Sequence, residues 1–435
     1  MKLNWFSPLP PARTEIAQHT ARILPALSRQ AEVTLWTEQR EWDRGLEKYA
    51  EVRSFDPENL PWGELNHADM TFYNIGNNAE FHLQIWQVSQ KYRGVVILHD
   101  TRLQHFFAWI YRYLLGDEAR YLDQLERYYG PQSRHDGECW WHGERTLEYM
   151  IENYPMTPWA LDGALGAFVH TRQAVDEVRK TDCRPIGYSK LPYPCTQGTE
   201  YPQHRSALYR KPPYRLIIFG YIETNRRLEP FLEALAAMPE RQRFGLQIFG
   251  ALWDTAYVQQ KIETLGLQKL VAIRGFVPEP ELDSALSQAH LAINLRYPTM
   301  GEASASQLRI WSHALPTLVT KVGMYADLPA SAVAFVRPDH EIDDIQHHLR
   351  AFLANPGRFA QMGKSGLETL AAEHSPDVYA RSITDFARQV SGTRLHKTAC
   401  ELADLAGQTI SPWNADATAE IGMRHVAERI HELLC

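Results

Sequence analysis

Short apolar, β-branched or aromatic runs recur along the chain, and segments with helix-like periodicity separate them. In the first half the runs are LNWFS (3–7), EVTLWT (32–37), MTFYNIG (70–76), GVVILHD (94–100) and GAFVHT (166–171). The second half gives RLIIFGYI (215–222), FGLQIFG (244–250), VAIRGFV (271–277), LAINL (291–295), TLVT (317–320) and AVAFV (332–336). Strands alternating with helices of ten or more residues imply right-handed βαβ units and parallel sheets. Two such sets predict an α/β protein with two doubly wound domains.

The polar, Pro-rich stretch YPQHRSALYRKPPYR (201–215) marks the predicted boundary, which gives domains 1–205 and 206–376. Residues 377–435 read as C-terminal helices that cross back and continue as a helical tail. The pattern breaks at 116–153, which reads as helix, Gly-Pro turn, helix, rich in aromatics and charges. It is either a lid over a site or a surface excursion.

Composition narrows the class. With 435 residues and 44% hydrophobic content the chain can fill two cores, and a net charge of −7 argues against a general nucleic-acid binder. Five cysteines without CxxC spacing fit a reducing cytosol better than a disulfide framework. MKLNWFSPLPPARTE lacks the apolar core of a signal peptide, and no run is long enough to span a membrane. The expected location is the cytoplasm, with at most peripheral contact at the inner face of a membrane.

Ligands of open parallel sheets bind beyond the carboxyl ends of strands, so the residues there carry the candidate chemistry. After RLIIFG, Gly220 permits close backbone approach, and Arg226 and Arg227 fall at a helix start. Two guanidiniums beside free helix N–H groups suit a diphosphate, or they decorate a solvated first turn. After LAINL comes RYPTMGEASASQL. Here Gly301, Ala303 and Ser304 are small, Ser304 can cap the next helix, and Glu302 can accept hydrogen bonds from sugar hydroxyls or simply favour a helix start. After GVVIL, His99 and Asp100 stand where a sugar could lie, or serve as a structural His and a capping Asp. HDGECWWHGE (135–144) contains metal-ligand residue types, but local density is weak and no metal site is assigned. GxGxxG after the first strand, GxxxxGK[ST] and GxSxG are all missing, which disfavours nicotinamide enzymes, P-loop NTPases and α/β-hydrolases.

Taken in order, these segments resemble the GT-B glycosyltransferases, specifically the retaining group 1 branch (family 4) in its bacterial form. The resemblance rests on FSPLPPARTEIAQHTARILPAL, YNIGNNAEFH, VVILHD, FGYIETNRRLEPFLEAL, RGFVPEPEL and YPTMGEASASQLRIWSHALPTLV. It implies two Rossmann-like domains facing across a cleft. Arg226, and with it Arg227, would neutralise a donor diphosphate near Gly220. Gly275 and Phe276 would border the base, and Gly301, Glu302, Ala303 and Ser304 would hold the donor sugar and β-phosphate. His99 and Glu302 are the implied catalytic pair. Glu15, Asn77, Asn78 and Asp100 are the candidates on the acceptor side.

Departures from the family pattern are specific. Tyr221 replaces the usual Arg, Glu15 follows Thr14 where Ser-Gly is usual, and Arg309 stands where a second, ribose-binding acid is expected. The resemblance implies metal-independent, retaining transfer from a UDP-, GDP- or dTDP-sugar, without a further cofactor. The acceptor would be a glycan or a lipid- or protein-linked sugar in surface polysaccharide or glycoconjugate synthesis. The absent acid would favour dTDP by reducing the penalty for a deoxyribose. The alternatives are a non-catalytic nucleotide-sugar-binding scaffold and another GT-B enzyme such as a sugar-nucleotide epimerase.

Overall fold

The computed structural model describes residues 1–195, 209 and 211–392. In the first domain β1 (Lys2–Phe6), β2 (Glu32–Thr37), β3 (Glu51–Ser54), β4 (Met70–Ile75), β5 (Val95–Leu98), β6 (Gly166–Val169) and β7 (Ile186–Tyr188) form a seven-stranded sheet in the order β3-β2-β1-β4-β5-β6-β7. In the second, β8 (Tyr214–Ile222), β9 (Phe244–Leu252), β10 (Val271–Gly275), β11 (Leu291–Asn294), β12 (Thr317–Thr320) and β13 (Ala334–Val336) form a six-stranded sheet in the order β10-β9-β8-β11-β12-β13. Every pairing is parallel, for example Leu3 with Met70 and Leu291 with Leu216. Central strands such as β4, β5, β11 and β12 are buried along their whole length, as helices on both faces require.

Each apolar run of the sequence overlaps a strand. The edge strands β3 (EVRS) and β7 (IGY) were not expected, being short and only half-buried. The predicted boundary at 205 and the tail from 393 onward lie outside the described residues. The crossing back is described: a helix over 376–392 lays Tyr379, Ile383, Phe386 and Val390 on the first sheet with Leu3, Trp5, Phe72 and Phe168.

The 116–153 segment forms helices Glu118–Tyr129, Pro131–Trp141 and Leu147–Asn153, with Gly130 turning the chain at φ 84° before Pro131. Tyr121, Leu122, Leu125, Trp140 and Met150 are buried in one cluster with Phe106, Phe107 and Trp159. The segment is therefore part of the first domain's core rather than a loose lid.

In both sheets the strand order reverses at one point, between β1 and β4 and between β8 and β11. Loops leaving neighbouring strands diverge there and open a crevice. These two crevices face each other and position the site.

Candidate functional site

At the second domain's switch point, β8 leads into a single turn, Thr224–Arg226, and then into the helix Leu228–Ala236. Arg227 holds this turn in the left-handed region at φ 55°. Its side chain points away from the crevice and grips Glu341 with two donors, Nη2 at 2.6 Å and Nε at 3.1 Å. Arg226 points inward and is only 3% exposed. Its one hydrogen bond runs from Nη2 to the Phe219 carbonyl at 3.3 Å, its Nε is unpaired, and it makes no ion pair among the described residues. Burial, with Arg296 nearby, lowers its pKa to about 10, so the guanidinium stays charged at neutral pH. Gly220 lies inside β8 at φ 104° rather than in a turn.

β11 delivers the opposing loop. Arg296 follows it and places Nε 3.0 Å from Glu302 Oε1. Glu302 Oε2 accepts from Met300 N (2.7 Å) and from Thr299 Oγ1 (2.9 Å). Glu302 is buried and held by the protein's own groups. Ser304 caps the helix Ala305–Ser312 by accepting from Gln307 N. The helix start, with Ala303 and Ser304, lines a cavity together with His170 and Met324. Arg309, one turn further, pairs with Glu279 (2.6 Å) and Asp283 (2.7 Å) at the start of the helix after β10. The carboxylates absent from its own helix are thus supplied by the neighbouring one.

The first domain contributes its own carboxyl-end loops. Asn77 N donates to Asp100 Oδ2 at 2.8 Å, and burial beside Glu302 raises the Asp100 pKa to about 6. Asn78 caps the helix Ala79–Lys91 and lines a cleft of about 340 Å³ with Arg13, Glu80, Phe81 and Tyr221. Glu15 is turned to Arg22 on its own helix and stands outside this cleft lining. His99 donates from Nε2 to Asn74 Oδ1 at 2.9 Å and is half-buried.

The two domains touch at the centre of this arrangement. The Thr101 and Arg102 amides donate to the Met300 carbonyl at 3.2 and 3.0 Å. Gly301, at φ 74°, fits against Thr101 so closely that a Cβ would overlap Thr101 Oγ1. A second contact joins Tyr221 Oη to the Arg13 carbonyl (2.8 Å), and the Arg13 guanidinium lies 4.8 Å from the ring centre of Phe276. Phe276, next to Gly275, therefore presents an exposed ring at the cleft mouth.

Sequence reading missed Arg296, although its place directly after a central strand was visible. It also missed Thr101, Arg102 and Arg13, whose roles arise only when the domains meet. In the 135–144 segment His135 Nε2 lies 3.8 Å from Cys139 Sγ, and His142 turns to Glu118. No metal-ligand cluster forms there among the described residues.

The two-sheet architecture is that of the GT-B glycosyltransferases. A family model described as "Glycosyl transferase-like" matches residues 226–385. Sucrose-phosphate synthase of Thermosynechococcus elongatus superposes with a TM-score of 0.61 at 14% identity, over 90% of this chain and 99% of its own. HepE of Anabaena in complex with UDP gives 0.58 at 11% identity, over 89% and 100%. WaaG, a glycosyltransferase involved in lipopolysaccharide biosynthesis, gives 0.56 at 14% identity, over 87% and 98%. No curated protein sequence matches this chain.

Proposed function

We propose that the protein is a retaining glycosyltransferase that takes a sugar from a nucleotide-sugar donor bound on its second domain. One observation carries this reading: Arg226 is a buried guanidinium that makes no ion pair among the described residues, with Glu302 near but taken by Arg296, and it stands at the switch point inside the matched 226–385 region. A buried, unpaired charge is costly, and an anion opposite it removes the cost. A diphosphate meets that need, with the amides of residues 305 and 306 at the helix start as further donors. HepE, which shares the fold, is solved with UDP and with UDP-glucose.

In this mechanism Arg226, with Arg296 behind Glu302, stabilises charge on the departing nucleotide diphosphate. The guanidiniums supply the positive charge at the diphosphate, so the transfer is written without a metal. Phe276 and Gly275 border the base. The ribose hydroxyls meet Glu279 or Asp283, held by Arg309, which removes the argument for a dTDP preference and leaves UDP-, GDP- and dTDP-sugars open. The acceptor hydroxyl enters from the side of His99, Asp100 and the Asn78-lined cleft and attacks on the face the nucleotide leaves.

The acceptor is a glycan or a lipid- or protein-linked sugar in surface polysaccharide synthesis, handled in the cytoplasm. Trp109, Tyr113, Leu114 and Leu115 are exposed together on one segment, which supports peripheral contact with a membrane carrying a lipid-linked acceptor. No helix of the described residues is long and apolar enough to cross a membrane.

A second reading is a nucleotide-sugar-binding scaffold, favoured by Glu302 being occupied by Arg296, Met300 and Thr299. Incubation with a panel of radiolabelled sugar nucleotides separates the two. Donor hydrolysis or transfer that is lost in Arg226→Ala supports the enzyme, binding without turnover supports the scaffold, and no binding at all refutes both.

A further inference from the structure

The fold brings together three histidines far apart in the chain. His19 lies on the helix Glu15–Leu27, His99 follows β5, and His170 follows β6. One ring nitrogen from each lies within 4.8 Å of the others. His19 and His170 are 2% and 5% exposed. Neither nitrogen of His19 has a hydrogen-bond partner, nor has Nε2 of His170. Buried ring nitrogens without partners are uncommon, because each forfeits a bond that water supplied before folding.

The outer partners are as informative as the vacant nitrogens. Asn74 donates through Nδ2 to the Phe6 carbonyl, which fixes its Oδ1 as the acceptor for His99 Nε2. His99 Nδ1 is then left with the lone pair. His170 Nδ1 faces the Ser189 carbonyl at 3.4 Å, which leaves the lone pair on the orphaned Nε2. An oxygen acceptor behind the ring, setting the tautomer and freeing the other nitrogen, is how metal-binding histidines are held.

We propose that His19, His99 and His170 form a binding site for a zinc(II) ion, with a fourth position open toward the cavity between the domains. Three imidazoles, each offering a ring nitrogen toward the others, suit zinc. Nitrogens on a tetrahedral zinc at ~2.05 Å stand about 3.3 Å apart, so the rings close by about 1.5 Å at most. An entry path exists, because His170 lines a cavity of about 270 Å³ together with Ser304, Asp327 and Glu373. The site does not include Arg226, but it takes His99 from the acceptor side of the proposed transfer and opens on a cavity shared with Ser304. Metal binding is measured without turnover, so its failure and that of the donor reading are distinguishable.

The test uses the metal-stripped full-length chain, titrated with Zn²⁺ against a chromophoric chelator. One equivalent should bind, and His19→Gln or His170→Gln should each weaken it by about 100-fold or more, beyond the loss expected for an outer partner. His142→Gln, on the 135–144 segment where His142 pairs with Glu118, should leave binding unchanged. Absence of binding overturns the proposal. So does binding that survives both triad variants but disappears in Cys139→Ser. Should the triad variants fail to fold, Co²⁺ substitution of the unmodified protein decides. Intense visible bands of nitrogen-ligated cobalt without a sulfur charge-transfer band support the site, and a sulfur band or no coloured complex overturns it.

Discussion

Gly301→Ala probes the contact that closes the two domains on each other. Two separate penalties arise. Alanine at φ 74° costs about 1–2 kcal/mol wherever the domains stand, because it is a property of the loop. The overlap of the new Cβ with Thr101 Oγ1 costs about 1–3 kcal/mol and is relieved by separating the domains. Only the second penalty shifts the equilibrium between closed and open forms, by roughly 5- to 150-fold. The Thr101 and Arg102 amides report on it directly, since both donate to Met300 across the interface. Their hydrogen exchange should speed up by that factor, while amides in the sheet cores change little. Thr101→Ala supplies the control. It removes a hydroxyl that is buried without a partner, and it leaves only the residue 101 Cβ, 3.2 Å from the added methyl. Gly301→Ala should therefore accelerate exchange at residue 102 much less in the Thr101→Ala background. Equal acceleration in both backgrounds, or none in either, refutes the steric account.

Other substitutions separate binding from scaffold. Arg226→Ala should weaken binding of a nucleoside diphosphate by about 10- to 150-fold, from charge-assisted hydrogen bonds of roughly 1.5–3 kcal/mol, with a change in denaturation midpoint close to zero. Calorimetry and chemical denaturation check both. Arg227→Ala should do the opposite, because it strands the buried Glu341 carboxylate. The loss is about 3–5 kcal/mol of stability by urea titration, with nucleotide affinity unchanged. Asp344 accepts from Arg337 through N, Nε and Nη2, which depresses its carboxyl from the ordinary 3.8 to about 2. Its stabilisation is complete above about pH 4 and fades as pH falls toward 2. Because Arg337 is largely exposed, solvent screens the pair and its contribution is small, read as the shrinking difference between wild type and Asp344→Asn across that window.

The sheets were legible because buried parallel strands are continuous apolar runs, and Val95–Leu98 and Leu318–Val319 can be little else. The edge strands β3 and β7 were not, because EVRS and IGY bury too little to leave a pattern. Strand ends located Arg226, Glu302 and Asp100, since ligand-facing residues follow central strands. Their partners were hidden. Nothing in the sequence says that Glu341 takes Arg227, that Arg296 takes Glu302, or that Glu279 and Asp283 restore carboxylates beside Arg309. These pairings depend on loop directions and on how neighbouring helices lie. The histidine triad was hidden for the same reason. His19, His99 and His170 share no local spacing and meet only because β1, β5 and β6 are in one sheet.

The central claim is that Arg226 awaits a diphosphate. Isothermal titration of the full-length protein with UDP, GDP and dTDP, repeated on Arg226→Ala, tests it most directly. The account predicts saturable binding of at least one of the three at a single site, weakened about 10- to 150-fold by the substitution. Binding of equal strength in both proteins, or binding of none of the three to the wild type, would contradict it.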